Sequence, residues 1–169
     1  MELIKLTADY PIKPFDCGDS DLNGFLFEDA KIFVDKKLAN TYLLEDNEET
    51  IAYFCLLNDK ISKFNLTTGS WRKVKKTFPH EKHFNSYPAI KIGRFAVSKT
   101  CTGTGLGSEL LSYIKEMLLS WQSYSAFRFI TLDAYLSAVP FYEKNDFKML
   151  LSNDENCLTR TMYFDMMKL

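Results

Sequence analysis

Residues 101–110 read CTGTGLGSEL, with Gly103, Gly105 and Gly107 at every second position and a leucine-rich run beyond. Glycines spaced this way suit a loop whose main chain must let something come close. The predicted strand upstream ends at Val97, the turn exposes successive N–H groups, and the helix that follows aims its positive end at the turn. A pyrophosphate fits such a place, because a Cβ in the loop would push phosphate oxygens away. On the glycines alone, a tight strand-to-helix connection with no ligand stays open. Two other phosphate loops do not match. A P-loop needs a lysine and a hydroxyl residue after its last glycine, and no lysine follows here. A GxGxxG dinucleotide turn would need glycine at Ser108 and an earlier place in the chain.

The elements around the turn follow from periodicity. ELIKLT (2–7) predicts a short strand. Asp19 or Ser20 is a candidate N-cap for an amphipathic helix to about Lys37, carried by Leu22, Leu26, Ala30 and Phe33. TYLLE (41–45) and TIAYFCLL (50–57) are rich in strand formers, with the polar DNEE as a hairpin turn. A helix over Ser70–Thr77 would be stopped by Pro79. AIKIGRFAV (89–97) predicts a strand with a bulge or close backbone approach at Gly93. Leu106, Leu110, Leu111, Ile114, Met117, Leu118 and Trp121 mark one face of a long helix. FRFITLDA (127–134) predicts a strand and SAVPFYEKN a short helix. Strands from Phe147 and over TRTMYFDMM would form a hairpin through SNDEN. The order predicts a mixed α/β (α+β) fold with about seven strands flanked by helices.

Composition narrows the class. The 169 residues suffice for one domain over 1–169, 46% hydrophobic and 25% charged, with 14 Phe and 9 Tyr. A net charge of -1 gives no general signal for nucleic-acid binding. Cys17, Cys55, Cys101 and Cys157 form no CxxC pair, and with two His no metal site is expected. The opening MELIKLTADYP lacks the apolar region of a signal peptide, and no run approaches 18 apolar residues. A cytoplasmic protein with no membrane contact is the expectation.

GRFAVSKTCTGTGLGSELL resembles the acyl-CoA-binding motif of the GCN5-related N-acetyltransferase (GNAT) superfamily. That motif follows a strand with Arg or Gln, two residues, Gly, one residue, then Gly or Ala. Thr102 stands at the Arg/Gln position, followed by Gly103, Thr104, Gly105, Leu106 and Gly107. AVPFYEKNDF is similar to the family's closing F-Y-E-K-x-G-F: Phe141, Tyr142, Glu143, Lys144 and Phe147 match, and Asp146 replaces the glycine. FDCGDSDLNGFL (15–26) and YPAIKIGRFAV (87–97) are similar to a subgroup that includes toxin acetyltransferases of toxin–antitoxin pairs. The likeness runs from about residue 15 to 147. With Thr102 in place of a long side chain, phosphate binding would rest on main-chain N–H groups, the hydroxyls of Thr102, Thr104 and Ser108, and the helix dipole. Asp at 146 tolerates a left-handed turn better than most residues.

The resemblance implies a GNAT fold with a mostly antiparallel sheet, acetyl-CoA as co-substrate and no metal. It implies that Phe95, Ala96 and Val97 offer main-chain partners to the pantetheine arm, as to an added strand. Tyr142 is then the candidate general acid for the departing thiolate, since a thiol titrates near 8.5 and a phenol near 10. Taken without that context, Tyr142 reads as a core aromatic beside Phe141. No general base stands out. Asp133, Glu143 and Asp146 are candidates that surface positions would equally explain, and Tyr135 either lines the channel or packs. An α-amine needs less help to lose its proton than a lysine side chain. Three functions follow: an acetyl-CoA-dependent N-acetyltransferase acting on a primary amine of unknown identity, a toxin acting on the amino group of aminoacyl-tRNA, or a non-catalytic CoA-binding module. Arg72, Lys73, Lys75, Lys76 and Lys82 form either a solvated face or a surface for an anionic acceptor such as tRNA. Family likeness alone implies a homodimer and an antitoxin partner.

Overall fold

The computed structural model of the chain describes residues 1–63, 66, 68–76, 84–150 and 158–169, the side chains of residues 70 and 73 excepted. Strand β1 spans Glu2–Lys5 and pairs antiparallel with β2, Asn40–Glu45. Between them lies the first helical region. Helix α1, Ser20–Gly24, starts on Asp19, whose carboxylate accepts from the N–H groups of Asp21 and Leu22. Of the two candidate caps, Asp19 is the observed one and Ser20 is the first helical residue. The predicted unbroken helix is not observed. A π turn over Phe25–Asp29 separates α1 from α2, Ala30–Asp35. The Tyr53 hydroxyl donates to the Leu22 carbonyl at 2.7 Å, just before the pitch changes. Side chains inserted into the helical ladder accompany such irregularities.

Strand β3, Thr50–Ser62, pairs antiparallel with β2 and runs past the predicted end at Leu57. The Asp46 carboxylate closes the hairpin turn by accepting from Glu48 and Glu49 N–H. Helix α3, Thr68–Lys75, begins two residues earlier than predicted; Thr77, Pro79 and Lys82 lie outside the described residues. Strand β4 is Ser86–Val97 and helix α4 is Leu106–Trp121, which buries Leu110, Leu111, Ile114 and Leu118 as the spacing predicts. Strand β5, Phe129–Tyr135, leads through a short 3-10 turn to α5, Val139–Lys144. Strand β6 is only Lys148–Met149, and β7 is Thr159–Asp165. β7 pairs antiparallel with both β5 and β6. The connection with SNDEN and Cys157 lies outside the described residues. Among the described residues the sheet has seven strands, in the order β1-β2-β3-β4-β5-β7-β6.

The chain divides into two compact units. The first is Met1–Leu57 with Ile92–Ile114. Its core gathers Leu6, Phe25, Leu26, Ala30, Leu43, Tyr53, Cys55 and Ala96. Gly93 belongs there: a Cβ on it would sit 2.7 Å from Leu57 Cδ2 and 3.1 Å from Cys55 Sγ. The close approach predicted for Gly93 is thus a side-chain contact on the neighbouring strand. The second unit is Asn58–Lys91 with Lys115–Leu169. Its core holds Ile61, Trp71, Val74, Tyr87, Ala89, Phe129 and Leu150. Each fully buried Leu, Ile, Val or Phe among them contributes roughly 1.5–3 kcal/mol.

Candidate active site

The glycine turn lies in the first unit. β4 delivers Phe95, Ala96 and Val97 to its head, with Ala96 buried and the other two half-buried. Ser98 N–H donates to Ile51 O at 2.7 Å, fixing the strand end. A 3-10 turn, Lys99–Cys101, follows. Its bonds run inward: Cys101 N–H to Ser98 O at 2.9 Å and Thr104 N–H to Cys101 O at 3.4 Å. Gly103 has φ +81° and Gly105 φ +95°, and a Cβ built on either would meet nothing within 4 Å. Positive φ alone already calls for glycine at both positions. The empty space above them is what a bound group would need.

The amides divide into two sets. Ser108 and Glu109 N–H both donate to Gly105 O, at 3.0 and 3.2 Å. Leu106 N–H is taken by Thr104 Oγ1 at 3.4 Å, so Thr104 serves the start of α4 as a local cap. Gly103, Gly105 and Gly107 N–H have no protein acceptor among the described residues. The alternation of glycines is therefore also an alternation of open donors. Two hydroxyls differ from expectation. Thr102 Oγ1 donates to Ser98 O at 3.4 Å, and Thr104 Oγ1 to Cys101 O at 2.7 Å. Their protons stabilise the turn itself rather than pointing outward. Ser108 is half-buried and has a partner of its own. A doubly negative diphosphate at the amides would meet N–H groups and the positive end of α4, with no carboxylate nearer in sequence than Glu109.

Two residues that spacing did not single out hold this turn. Asp16 Oδ2 pairs with Lys99 Nζ at 2.5 Å, and Asp16 O accepts from Lys99 N–H at 2.9 Å. Asp16 Oδ1 also accepts from Gly18 N–H and Asn23 Nδ2, at 2.8 and 2.9 Å. These donors, Lys99 foremost, hold the Asp16 carboxyl well below the usual carboxylate range. The signal was present in FDCGDSD, but only as a likeness. Nothing in the spacing linked residue 16 to residue 99.

Tyr142 lies in the second unit, on α5. Pro140 opens that helix and Asn145 caps its end. Asp146 takes φ +66°, the left-handed turn anticipated for it. Tyr142 is only 8% exposed, with ring centroids 5.1 Å from Phe141 and 5.7 Å from Phe147. Burial pushes its pKa up from the ordinary phenol value, at which it is already protonated at neutral pH. The carbonyl of Tyr142 accepts from both Asn145 and Phe147 N–H at 3.0 Å. Lys115 Nζ donates to Asn145 O at 2.8 Å and lies 4.2 Å from the Phe164 ring. This buried ammonium sits at the negative end of α5, and desolvation lowers its pKa. A lysine on the apolar stripe of α4 was a legible signal: Leu111, Ile114 and Leu118 are its buried neighbours.

The candidate bases do not converge. Asp133 is taken by Lys91 Nζ and by Thr161 Oγ1 at 2.8 Å. Glu143 and Asp146 are exposed. Tyr135 closes β5 and is 39% exposed. Cys101 is half-buried in the 3-10 turn.

A mixed sheet feeds a glycine turn with open amides, and residues 83–168 match the family model of the acetyltransferase (GNAT) domain, which places the chain among acyl-group transferases. The match covers just over half of the chain, which therefore belongs to the GNAT family as an acetyl-CoA-dependent N-acetyltransferase. Solved structures with the same fold include AtaT complexed with acetyl-methionyl-tRNAfMet, 22% identical, TM-score 0.80, covering 99% of this chain and 95% of that one. A tyrosine-to-phenylalanine variant of KacT is 20% identical, TM-score 0.78, covering 99% and 97%. A tyrosine-to-phenylalanine variant of the AtaT toxin, bound to the C-terminus of the antitoxin AtaR and acetyl-CoA, is 20% identical, TM-score 0.76, covering 99% and 94%.

Proposed function

We propose that this chain is a toxin-type acetyltransferase that moves the acetyl group of acetyl-CoA to the α-amino group of an aminoacyl-tRNA. The likeness to AtaT held with acetyl-methionyl-tRNAfMet, across nearly the whole chain, carries the choice of acceptor. The open amides of Gly103, Gly105 and Gly107 support the donor end. In this reading Thr102–Ser108 cradle the diphosphate, with Leu106 turning the chain into α4. Main-chain groups of Phe95, Ala96 and Val97 receive the pantetheine arm. The neutral amine attacks the thioester carbonyl, the C–S bond breaks, and Tyr142 gives its proton to the leaving sulfur. The amine's proton then restores the phenol, directly or through water. An α-amine titrates near 8, so a neutral fraction exists without a dedicated base. Burial of the phenol matters here. A raised pKa makes the phenol a weaker acid, so its proton moves only once charge has built on sulfur. That both AtaT and KacT were solved as tyrosine-to-phenylalanine variants supports giving weight to Tyr142.

Helix α3 supports an anionic acceptor. It buries Trp71 and Val74 and leaves Arg72 exposed and Lys75 half-buried, with Lys76 exposed in the turn just after it; Lys82 lies outside the described residues, as does the side chain of Lys73. No described helix is long and apolar enough to cross a membrane. The rest of the reading is a single GNAT domain over 1–169, cytoplasmic, homodimeric and silenced by a small antitoxin. Thiol release from acetyl-CoA should be assayed against aminoacyl-tRNAs and free small amines, at rising salt. Release with aminoacyl-tRNA that falls steeply with salt is expected. Salt-independent turnover of a free amine would contradict the tRNA acceptor, and CoA binding without release on any amine would reduce the chain to a binding module.

A further inference from the structure

We propose that Asp16 is a positioning residue that holds the glycine turn in its ligand-ready shape by way of Lys99; this rests on the acetyl-CoA reading above. Residues 8–19 carry no helix or strand, yet they are bonded at intervals. Tyr10 donates to Glu45 Oε2 at 2.8 Å, and Lys13 pairs with Glu45 at 3.1 Å and donates to Asp46 O at 2.6 Å. Pro14 O accepts from Thr50 N–H at 3.0 Å. The segment is thus strapped along the β2–β3 hairpin turn before it reaches Lys99.

At Lys99 the strap attaches twice, once to the main chain and once to the side chain. Two attachments to one residue restrict rotation where a single surface ion pair would not. Asp16 is itself held from behind by Gly18 N–H and Asn23, and Asn23 Oδ1 accepts from Cys17 N–H at 3.0 Å. From Lys99 the bonds pass on in series. Lys99 O accepts from Thr102 N–H, Cys101 O from Thr104 N–H and hydroxyl, and Thr104 Oγ1 from Leu106 N–H. Every second amide is consumed in this chain, and the glycine amides remain for a ligand. Holding those amides in place before the ligand arrives lowers the ordering cost of binding.

The pairing has a second consequence. Lys99 stands three residues ahead of Thr102, close enough in sequence to reach a diphosphate itself. Asp16 commits its ammonium elsewhere. The two roles for Lys99, strut or phosphate ligand, predict opposite effects of removing Asp16.

The test is calorimetric binding of CoA and steady-state kinetics in acetyl-CoA, with the full chain. Asp16→Asn should raise the CoA Kd and the KM for acetyl-CoA by about tenfold, leaving kcat at saturation within about twofold. Lys99→Met should weaken binding in the same direction, and the double variant should be no weaker than the worse single one. Lys99→Arg, which keeps the pairing, should restore the unaltered Kd. Lys99 is exposed, so its variants carry the test even where Asp16→Asn melts early, which thermal unfolding will register. Unchanged CoA affinity in Asp16→Asn and Lys99→Met would overturn the inference. So would tighter binding on loss of Asp16, which would make Lys99 a phosphate ligand. Failure of the unaltered chain to bind CoA at all would instead overturn the acetyl-CoA reading beneath it.

Discussion

Around Thr102–Ser108 the chain is exposed or half-buried and its shape is held by polar bonds: Asp16 to Lys99, Thr104 to Cys101, Ser98 to Ile51. Around Tyr142 the holding is done by burial, with Phe141 and Phe147 against its ring and the ammonium of Lys115 at the helix end. The first region must leave donors open, so it cannot be covered. Its order has to come from bonds that run along the chain. On the proposed reading the second keeps one proton on one oxygen, and burial raises the pKa of that phenol. On the proposed reading, directional bonds serve binding and burial serves the phenol's proton.

Four changes would break or sharpen that contrast. Tyr142→Phe should lower kcat at least tenfold, toward the hundredfold expected for loss of a general acid, with the acetyl-CoA Kd unchanged by calorimetry. A drop in affinity without loss of kcat would move Tyr142 out of the proton path and into packing. Gly105→Val should do the reverse. A β-branched residue at φ +95° costs about 1–3 kcal/mol, so the CoA Kd should rise by about tenfold or more while kcat at saturation stays near its starting value. Gly93→Ala should act on neither binding nor chemistry directly. Crowding Leu57 and Cys55 costs about 1–3 kcal/mol, read as a melting temperature lower by several degrees. The smallest effects lie in the pH dependence of stability. Asp16 has a depressed pKa, so its contribution is present above 3.8 and fades as pH falls below that value; Asp16→Asn should flatten the acid limb of the unfolding curve. Tyr142 has a raised pKa, so its contribution is present below 10.0 and fades as pH rises above that; Tyr142→Phe should flatten the alkaline limb. If each variant altered the opposite limb, the assignment of polar order to one region and desolvation to the other would be wrong.

Much of the fold could be read from periodicity, because its elements are amphipathic and bounded by turn chemistry. Asp19 capped its helix and the leucine stripe of α4 was buried as spaced. Where a side chain from a distant strand intrudes, periodicity fails. The π turn at Phe25–Asp29 accompanies the Tyr53 hydroxyl on Leu22 O, a contact between residues 31 apart in sequence. The glycine turn was legible as a main-chain feature, since alternating glycines say that amides matter. The division of its hydroxyls was not, because Thr102 and Thr104 could face either way until the turn is built. Asp146 was legible because αL tolerance is a property of the residue itself. Asp16 and Lys115 were invisible as partners: each acts on a carbonyl, amide or ammonium far along the chain, and a single sequence carries no record of such pairs.

The central claim is that the bare amides of Gly103, Gly105 and Gly107 grip the diphosphate of CoA. Titrating the 15N-labelled chain with CoA and following its amide resonances tests this directly. The account predicts that these three glycine signals shift together and saturate with the calorimetric Kd, and that dephosphorylated pantetheine leaves them where they were. Saturable CoA binding that leaves all three glycine signals unmoved would contradict it.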